Sequence, residues 1–212
     1  MNTETWIALS HRIGQQIAQK EESIKKQNNS LYSSNCNNSH SGIPILYEEK
    51  GEFKGIINYL KKNSKGDIEN EISVTSSSTF STSYDPRNIL IYNDKAKRFL
   101  SEDNENFWIC IDFKEHRVIP TNYTIKTFEL SQNSAHPKSW IIEASNDNDN
   151  WDVIDERNNC PFLNGRNFIH TFIINNQNLK SYRYIRMRQT KPNWTESIYL
   201  MISCIEFFGT LF

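Results

Sequence analysis

One stretch constrains the fold of this chain more than any other, residues 136–151. The segment from Ser139 to Ala144 alternates so that Trp140 and Ile142 share one face of a strand. The polar turn at 145–150 follows, and Asn and Asp side chains close such turns by hydrogen bonding to the backbone. This unit is typical of an antiparallel β-sandwich and contains no catalytic group. It therefore predicts a binding module.

The remaining sequence extends the same pattern. Hydrophobic residues make up 37% of the chain and aromatic residues 12%, which suits an aromatic core with polar loops and a polar segment outside it. Turn residues separate short segments rich in β-branched and aromatic side chains, which predicts an all-β sandwich. The predicted strands are Ile72–Ser76, Asn88–Tyr92, Phe107–Phe113, Asn122–Leu130, Ser139–Ala144, Val153–Asp155, Phe168–Ile174, Tyr182–Gln189 and Leu200–Phe208.

The N-terminal region has a different pattern. Apolar residues recur at helical spacing between residues 4 and 28, although Lys20 and Gln27 would occupy core positions of a coiled coil. We expect a solvated helix or a weak oligomerisation arm. The predicted organisation is a helix over 1–30, a flexible linker over 31–50 and a β-sandwich over 51–212.

Charge and cysteine usage exclude several classes of protein. A net charge of −1 gives no general basic surface for nucleic acid, and no apolar run approaches the roughly 18 residues that cross a bilayer. No secretory leader is visible at the N-terminus. The four cysteines lack metal-ligand spacing, so we expect reduced thiols, no metal or other cofactor, and a cytoplasmic protein: Cys36, Cys110, Cys160 and Cys204.

Five segments, in order, resemble the discoidin domain, which is the C-type domain of coagulation factors V and VIII. They are Ile72–Ser77, Trp108–Phe113, Trp140–Trp151, Tyr184–Met187 and Ile205–Gly209. The resemblance implies a galactose-binding-like jelly roll. In their particular residues, these segments resemble an intracellular branch of the family found in protists. In that branch such domains follow BTB and BACK domains or a coiled coil. Secreted members usually join the ends of the domain by a disulfide, and no cysteine pair stands near residues 52 and 209.

In this family the ligand surface resembles a set of loops at one end of the barrel, and three loops here map onto it: 77–86, 129–138 and 190–197. We call these three loops the crown. Exposed rings next to polar groups suit stacking on a ligand. The alternatives are that the first loop's rings plug the barrel end, that the histidine is inert and that the tryptophan packs structurally. The predicted contact residues are Phe80, Tyr84, His136, Lys191, Asn193 and Trp194.

Other charged residues have structural interpretations. The basic residues between 95 and 98 have acidic neighbours, so we interpret them as a solvated face. A partly buried arginine needs a partner. We expect at least one arginine near β-strand 182–189 to pair with a carboxylate such as Asp112 or Glu206; the candidates are Arg183, Arg186 and Arg188.

Enzyme motifs are missing from the sequence. It contains no GxSxG, glycine-rich phosphate loop or HExxH, and the acidic turn at 146–150 lacks the glycine and glutamate of a calcium loop. We therefore predict a non-catalytic module that recognises a protein ligand through the crown, as a substrate-recruiting adaptor. Carbohydrate binding is the alternative. Self-association through the N-terminal helix is a third hypothesis.

Overall fold

The computed structural model of the chain describes residues 42–64, 67–92, 97–103, 105–174 and 180–212, together with residues 19, 22, 23 and 26. The chain divides into two units, Met1–Ser41 and Gly42–Phe212. In the first unit the four described residues are helical, and Lys26 pairs with Glu22 at 2.9 Å. The rest of the predicted helix, Cys36 and Lys95 lie outside the described residues.

The second unit is a β-sandwich, as the sequence predicts. One sheet has the strand order β1 (Ile43–Ile45), β11 (Cys204–Leu211), β5 (Val118–Lys126) and β8 (Ile169–Ile173). The other has the order β2 (Ser73–Ser76), β4 (Trp108–Asp112), β9 (Tyr184–Gln189), β6 (Trp140–Ser145) and β7 (Asp152–Arg157). A small pair joins β3 (Phe99–Leu100) and β10 (Met201–Ile202). Every neighbouring pair is antiparallel.

The hairpin at 136–151 forms as expected. Trp140, Ile142 and Ala144 have no exposed surface, so the predicted inner face of β6 is buried in the core. The turn is closed by Asp147, whose carboxylate accepts hydrogen bonds from the backbone N–H groups of two following residues at 2.9 and 2.8 Å. Side-chain-to-backbone bonding therefore fixes the turn between β6 and β7.

Aromatic rings fill the space between the two sheets. Tyr123 stacks on Phe172 with ring centroids 5.1 Å apart, and its centroid lies 6.2 Å from that of Phe207. The buried hydroxyl of Tyr123 is not left without partners, because it accepts a hydrogen bond from the indole N–H of Trp140 and donates to Asp155. The core thus joins both layers by packing and by hydrogen bonds.

Two segments differ from the sequence expectations, and a third, which had no predicted secondary structure, is partly helical. Asn88–Tyr92 is not a strand, because Pro86–Leu90 forms a 3-10 helix that begins with a proline and is capped by the Asp85 carboxylate. The apolar segment from Phe53 to Leu60 contributes to the helix α1 (Ile56–Asn63). Residues 43–45, within the predicted linker, form β1 and pair with β11.

The prediction that an arginine pairs with Asp112 or Glu206 is confirmed. Arg183 binds the Asp112 carboxylate through two nitrogen atoms, at 2.7 and 2.9 Å. Arg186 and Arg188 instead share the buried carboxylate of Glu143. These pairs lie on the outer face of the five-stranded sheet.

Candidate ligand-binding site

The strand pairing places all three loops of the crown at one end of the sandwich. Lys126, the last residue of β5, pairs with Cys204 and Ile169, the first residues of β11 and β8. In the other sheet, Gln189 at the end of β9 pairs with Trp140 at the start of β6. Because the loop between β5 and β6 joins these two edges, they belong to the same end. Loop 158–168, between β7 and β8, emerges there as well.

Hydrogen bonds connect the loops at this end to one another. The backbone N–H of Ile198 donates to the Asp103 carboxylate at 2.8 Å. The Lys191 ammonium donates to the Asn158 side-chain oxygen at 3.0 Å. The backbone N–H of Asn133 donates to the side chain of Asn164 at 2.7 Å. These contacts hold the loops in fixed relative positions, which is what a preformed binding surface requires.

Phe80 is the most exposed large hydrophobic side chain among the described residues, at 63%. Its ring meets that of Tyr84 edge-on, with centroids 5.8 Å apart and planes at 69°. The backbone N–H of Phe80 donates to the carbonyl of Leu100, which fixes the base of the loop. The ring therefore projects from the loop into solvent rather than plugging the barrel.

Arg98 supports this aromatic pair from within. Its guanidinium carbon lies 4.7 Å from the ring centroid of Tyr84 and 4.0 Å from that of Phe128, and one nitrogen donates to the Tyr84 hydroxyl at 3.1 Å. A guanidinium between two rings gains both stacking and cation–π attraction. The interpretation of this arginine as part of a solvated basic face is therefore wrong.

Trp194 forms a second aromatic element of the crown. Its partly buried ring lies 5.1 Å from the Lys138 ammonium, which also pairs with the Glu196 carboxylate at 3.1 Å. Within the described part of the chain, the indole nitrogen is buried and has no hydrogen-bond partner. Lys191 is exposed nearby in the same loop.

Two of the predicted contact residues are buried and hold the loops from inside. His136 is 1% exposed, and its Nε2 lies 3.0 and 3.3 Å from the carbonyls of Ser131 and Leu130, so that nitrogen carries the proton. Burial lowers the pKa of His136. Asn193 has no exposed surface, and its side-chain oxygen accepts from the backbone N–H of Thr195 at 2.8 Å. Neither side chain can reach a ligand on the surface.

Sequence reasoning missed Arg98, Phe128 and Lys138 as parts of this site. Arg98 and Phe128 are far apart in the sequence and meet only because the loop after β5 folds against the segment before β3. No spacing rule signals such a contact. Lys138 could have been identified from the sequence, since it lies inside a loop that was already assigned to the crown.

The site offers rings, hydroxyl groups and cations rather than a reactive centre. In the described ranges no three His, Cys, Asp or Glu side chains form a group that could hold a metal ion. No helix among the residues with described structure has the length and hydrophobicity needed to cross a membrane. The arrangement is suited to holding a ligand by stacking and hydrogen bonding.

The fold and the crown together define a binding module with a galactose-binding-like β-sandwich. The model of the F5/8 type C domain matches residues 73–203, which is more than half of the chain. The chain therefore belongs to the F5/8 type C, or discoidin, family. Domains of this family are generally non-catalytic binding modules. A search of curated proteins gave no match.

Solved structures with the same fold include several carbohydrate-binding modules. Chitosan-binding module 1 of a chitosanase/glucanase from Paenibacillus sp. IK-5 is 18% identical, with a TM-score of 0.51, covering 66% of this chain and 96% of that one. Module CpGH89CBM32-5 from Clostridium perfringens, solved with GalNAc-β-1,3-galactose, is 9% identical, with a TM-score of 0.52, covering 66% and 97%. The family 32 module of C. perfringens NanJ, solved with galactose, is 9% identical, with a TM-score of 0.50, covering 68% and 96%. At these identities the likeness is one of fold.

Proposed function

We propose that this protein is a carbohydrate-binding module that holds a glycan on the crown. The observation that carries the proposal is the exposed ring of Phe80, which stands at the loop end of the sandwich and is braced by Tyr84. An aromatic ring offers a flat apolar surface on which the C–H face of a sugar can stack. The C. perfringens modules described above were solved with galactose-containing ligands, which supports the same use of this fold.

Other side chains of the crown would contribute to glycan binding, either by contacting the sugar or by holding the loops in place. The Tyr84 hydroxyl, oriented by Arg98 at 3.1 Å, is placed to exchange hydrogen bonds with sugar hydroxyl groups next to Phe80. Trp194 and Lys191 form a second contact area in the third loop of the crown. His136 and Asn193 are positioning residues, because both are buried under the loops that they hold.

A glycan array tests the proposal. The wild-type protein is compared with Phe80→Ala and with the matched variant Phe212→Ala, which removes a 43% exposed phenylalanine that follows β11 at the opposite end of the sandwich. We expect wild type and Phe212→Ala to bind the same sugars, and Phe80→Ala to lose at least tenfold in affinity. Equal binding by all three proteins would remove the crown from the proposal, and no sugar binding by wild type would refute it.

Recognition of a protein ligand is the second candidate function. It is favoured by the partly buried tryptophan at 194, since tryptophan is enriched in protein interfaces and among the residues that contribute most binding energy there. If the ligand is a protein, the module would recruit substrates as part of an adaptor that also contains BTB and BACK domains. Pull-down from cell extract with Trp194→Ala as control separates the two candidates, because a protein recovered only by the wild-type crown would favour the adaptor.

Two further proposals concern assembly and location. Self-association through the N-terminal helix is tested by sedimentation of residues 1–212 against 42–212, a truncation that keeps β1 in its sheet; equal association states would exclude it. A cytoplasmic location agrees with the buried cysteines Cys110 and Cys204, which are free thiols. Imaging of a tagged protein checks this, and a secreted product would contradict it.

A further inference from the structure

Strand β2 leaves one of its edges unpaired. It hydrogen bonds to β4 alone, and the backbone contact from the N–H of Ser77 to the carbonyl of Trp108, at 3.1 Å, sets the phase of the ladder. Alternate residues bond to β4, so the backbone N–H and C=O groups of Val74 and Ser76 point to the open edge. Within the described part of the chain these backbone groups make no hydrogen bond. An edge of this kind is a template for another strand.

A pocket of about 610 Å³ lies along this edge. Its lining includes Ser73 and Val74 of β2 together with residues of the 3-10 helices at 82–84 and 86–90. The volume is within the range of ordinary ligand sites, about 300–1,000 Å³. Apolar side chains line part of it: Ile68, Ile72, Leu90 and Ile91.

The lining of the pocket carries an excess of positive charge. Four cationic side chains line it, Lys61, Arg87, Lys97 and Lys114, against the two carboxylates of Asp85 and Glu69. Arg87 is held by both carboxylates, at 2.7 Å each, and Lys114 contacts the backbone carbonyl of Glu69. The side chains of Lys61 and Lys97 are exposed, and among the described residues neither ammonium group forms a hydrogen bond or an ion pair.

We propose that the pocket binds a short acidic peptide in extended conformation, which adds a strand to the open edge of β2. The peptide backbone bonds to Val74 and Ser76, and one apolar side chain enters the pocket. Carboxylates two positions before and after it, on the same face of the added strand, meet Lys61 and Lys97. Main-chain hydrogen bonds supply affinity in this mode of recognition, and alternate side chains supply specificity. The pocket is lined by Thr82, Ser83 and Asp85 of the first crown loop but by neither Phe80 nor Tyr84, so this site is separate from the proposed glycan site.

The test uses the full chain labelled with ¹⁵N and the probe peptide acetyl-Glu-Ser-Val-Ser-Glu-amide, in which the valine and both glutamates share one face of an extended strand. We expect the amide resonances of Val74 and Ser76 to shift on titration and the peptide with Lys in place of Glu to leave them unchanged. The double variant Lys61→Gln/Lys97→Gln should bind at least tenfold more weakly. Its matched control, Lys54→Gln/Lys62→Gln, removes the same charge from exposed positions outside the pocket and should bind as wild type does.

Backbone methylation separates strand addition from simple charge attraction. Two versions of the probe peptide carry N-methyl groups on alternate residues. One version is methylated at the odd-numbered residues and the other at the even-numbered residues. Only one phase places its N–H groups against β2, so one version should lose binding and the other should keep it. Equal binding by both, equal loss by both, or no shift at millimolar peptide would overturn the proposal. Phe80→Ala should leave peptide binding unchanged, whatever it does to glycan binding.

Discussion

The carboxylate of Glu206, on β11, accepts a hydrogen bond from the backbone N–H of Ile57 in the first turn of α1, at 2.9 Å. It also accepts from the N–H of Asn58 at 3.1 Å. The helix begins after Gly55, which has no side chain to cap it. A side chain at that position would also place its Cβ 2.2 Å from the carbonyl oxygen of Phe207. The sheet therefore caps the helix from outside.

This buried carboxylate should make stability depend on pH. Glu206 has no exposed surface, and burial raises its pKa to about 7, above an ordinary value of about 4.3. Between these values the folded state keeps a proton that the unfolded state releases, so stability falls as pH rises from about 4.3 to about 7. In urea unfolding, we expect the advantage of wild type over Glu206→Gln to shrink by about 3 kcal/mol across this range. A constant difference would contradict the raised pKa.

Glu143 should be the most costly surface-facing carboxylate to remove. It is 5% exposed and bonds to Arg186 at 2.8 Å and to Arg188 at 3.0 Å. Glu143→Gln leaves two partly buried guanidinium groups without their counter-charge, so we expect a loss of about 3 kcal/mol in the free energy of unfolding. The matched change Glu196→Gln, at a 75% exposed partner of Lys138, should cost less than about 1 kcal/mol. Similar losses in the two variants would show that burial is not the deciding factor.

His170 should weaken the fold in mild acid. Its ring stacks on Phe162 with centroids 4.4 Å apart and meets Phe172 edge-on at 4.5 Å. Burial lowers its pKa to about 4, from an ordinary value of about 6.5. The unfolded chain therefore binds a proton first, and stability is lost as pH falls from about 6.5 to about 4.

The variant His170→Phe removes this titration and keeps an aromatic ring between its neighbours. Thermal unfolding of both proteins between pH 7 and pH 4 should show the wild type losing about 3 kcal/mol relative to the variant. Parallel pH profiles would mean that the histidine titrates normally.

Arg98 should matter to the crown through its planar shape as well as its charge. Arg98→Lys keeps the charge but loses the flat group between Tyr84 and Phe128, so we expect a loss of about 1 kcal/mol in stability and weaker binding at Phe80. The control Arg166→Lys changes an exposed arginine, 62% exposed, which pairs with Glu129 at 3.5 Å. Unfolding curves and binding measurements on both variants check this, and identical behaviour would count against the stacking role.

Local patterns were enough to predict the class of fold. The alternation along Trp140 and Ile142 and the turn at 145–150 depend on neighbouring residues, so they could be read before any contact was known. The secondary structure of residues 88–92 could not be predicted in this way, because an apolar run of that length fits a strand or a helical turn equally well. This segment is helical because Pro86 begins a 3-10 helix and the Asp85 side chain caps it.

The sequence by itself determined that this chain builds an antiparallel sandwich and presents loops with aromatic side chains, because side-chain period and turn chemistry are local properties. The tertiary structure alone decided which loop residues reach solvent. Phe80 projects outward, whereas His136 and Asn193 turn inward to satisfy backbone groups of their own loops. Burial of a loop side chain depends on what distant segments pack against it, and Arg98 between Tyr84 and Phe128 is the clearest case, since no local spacing encodes that contact.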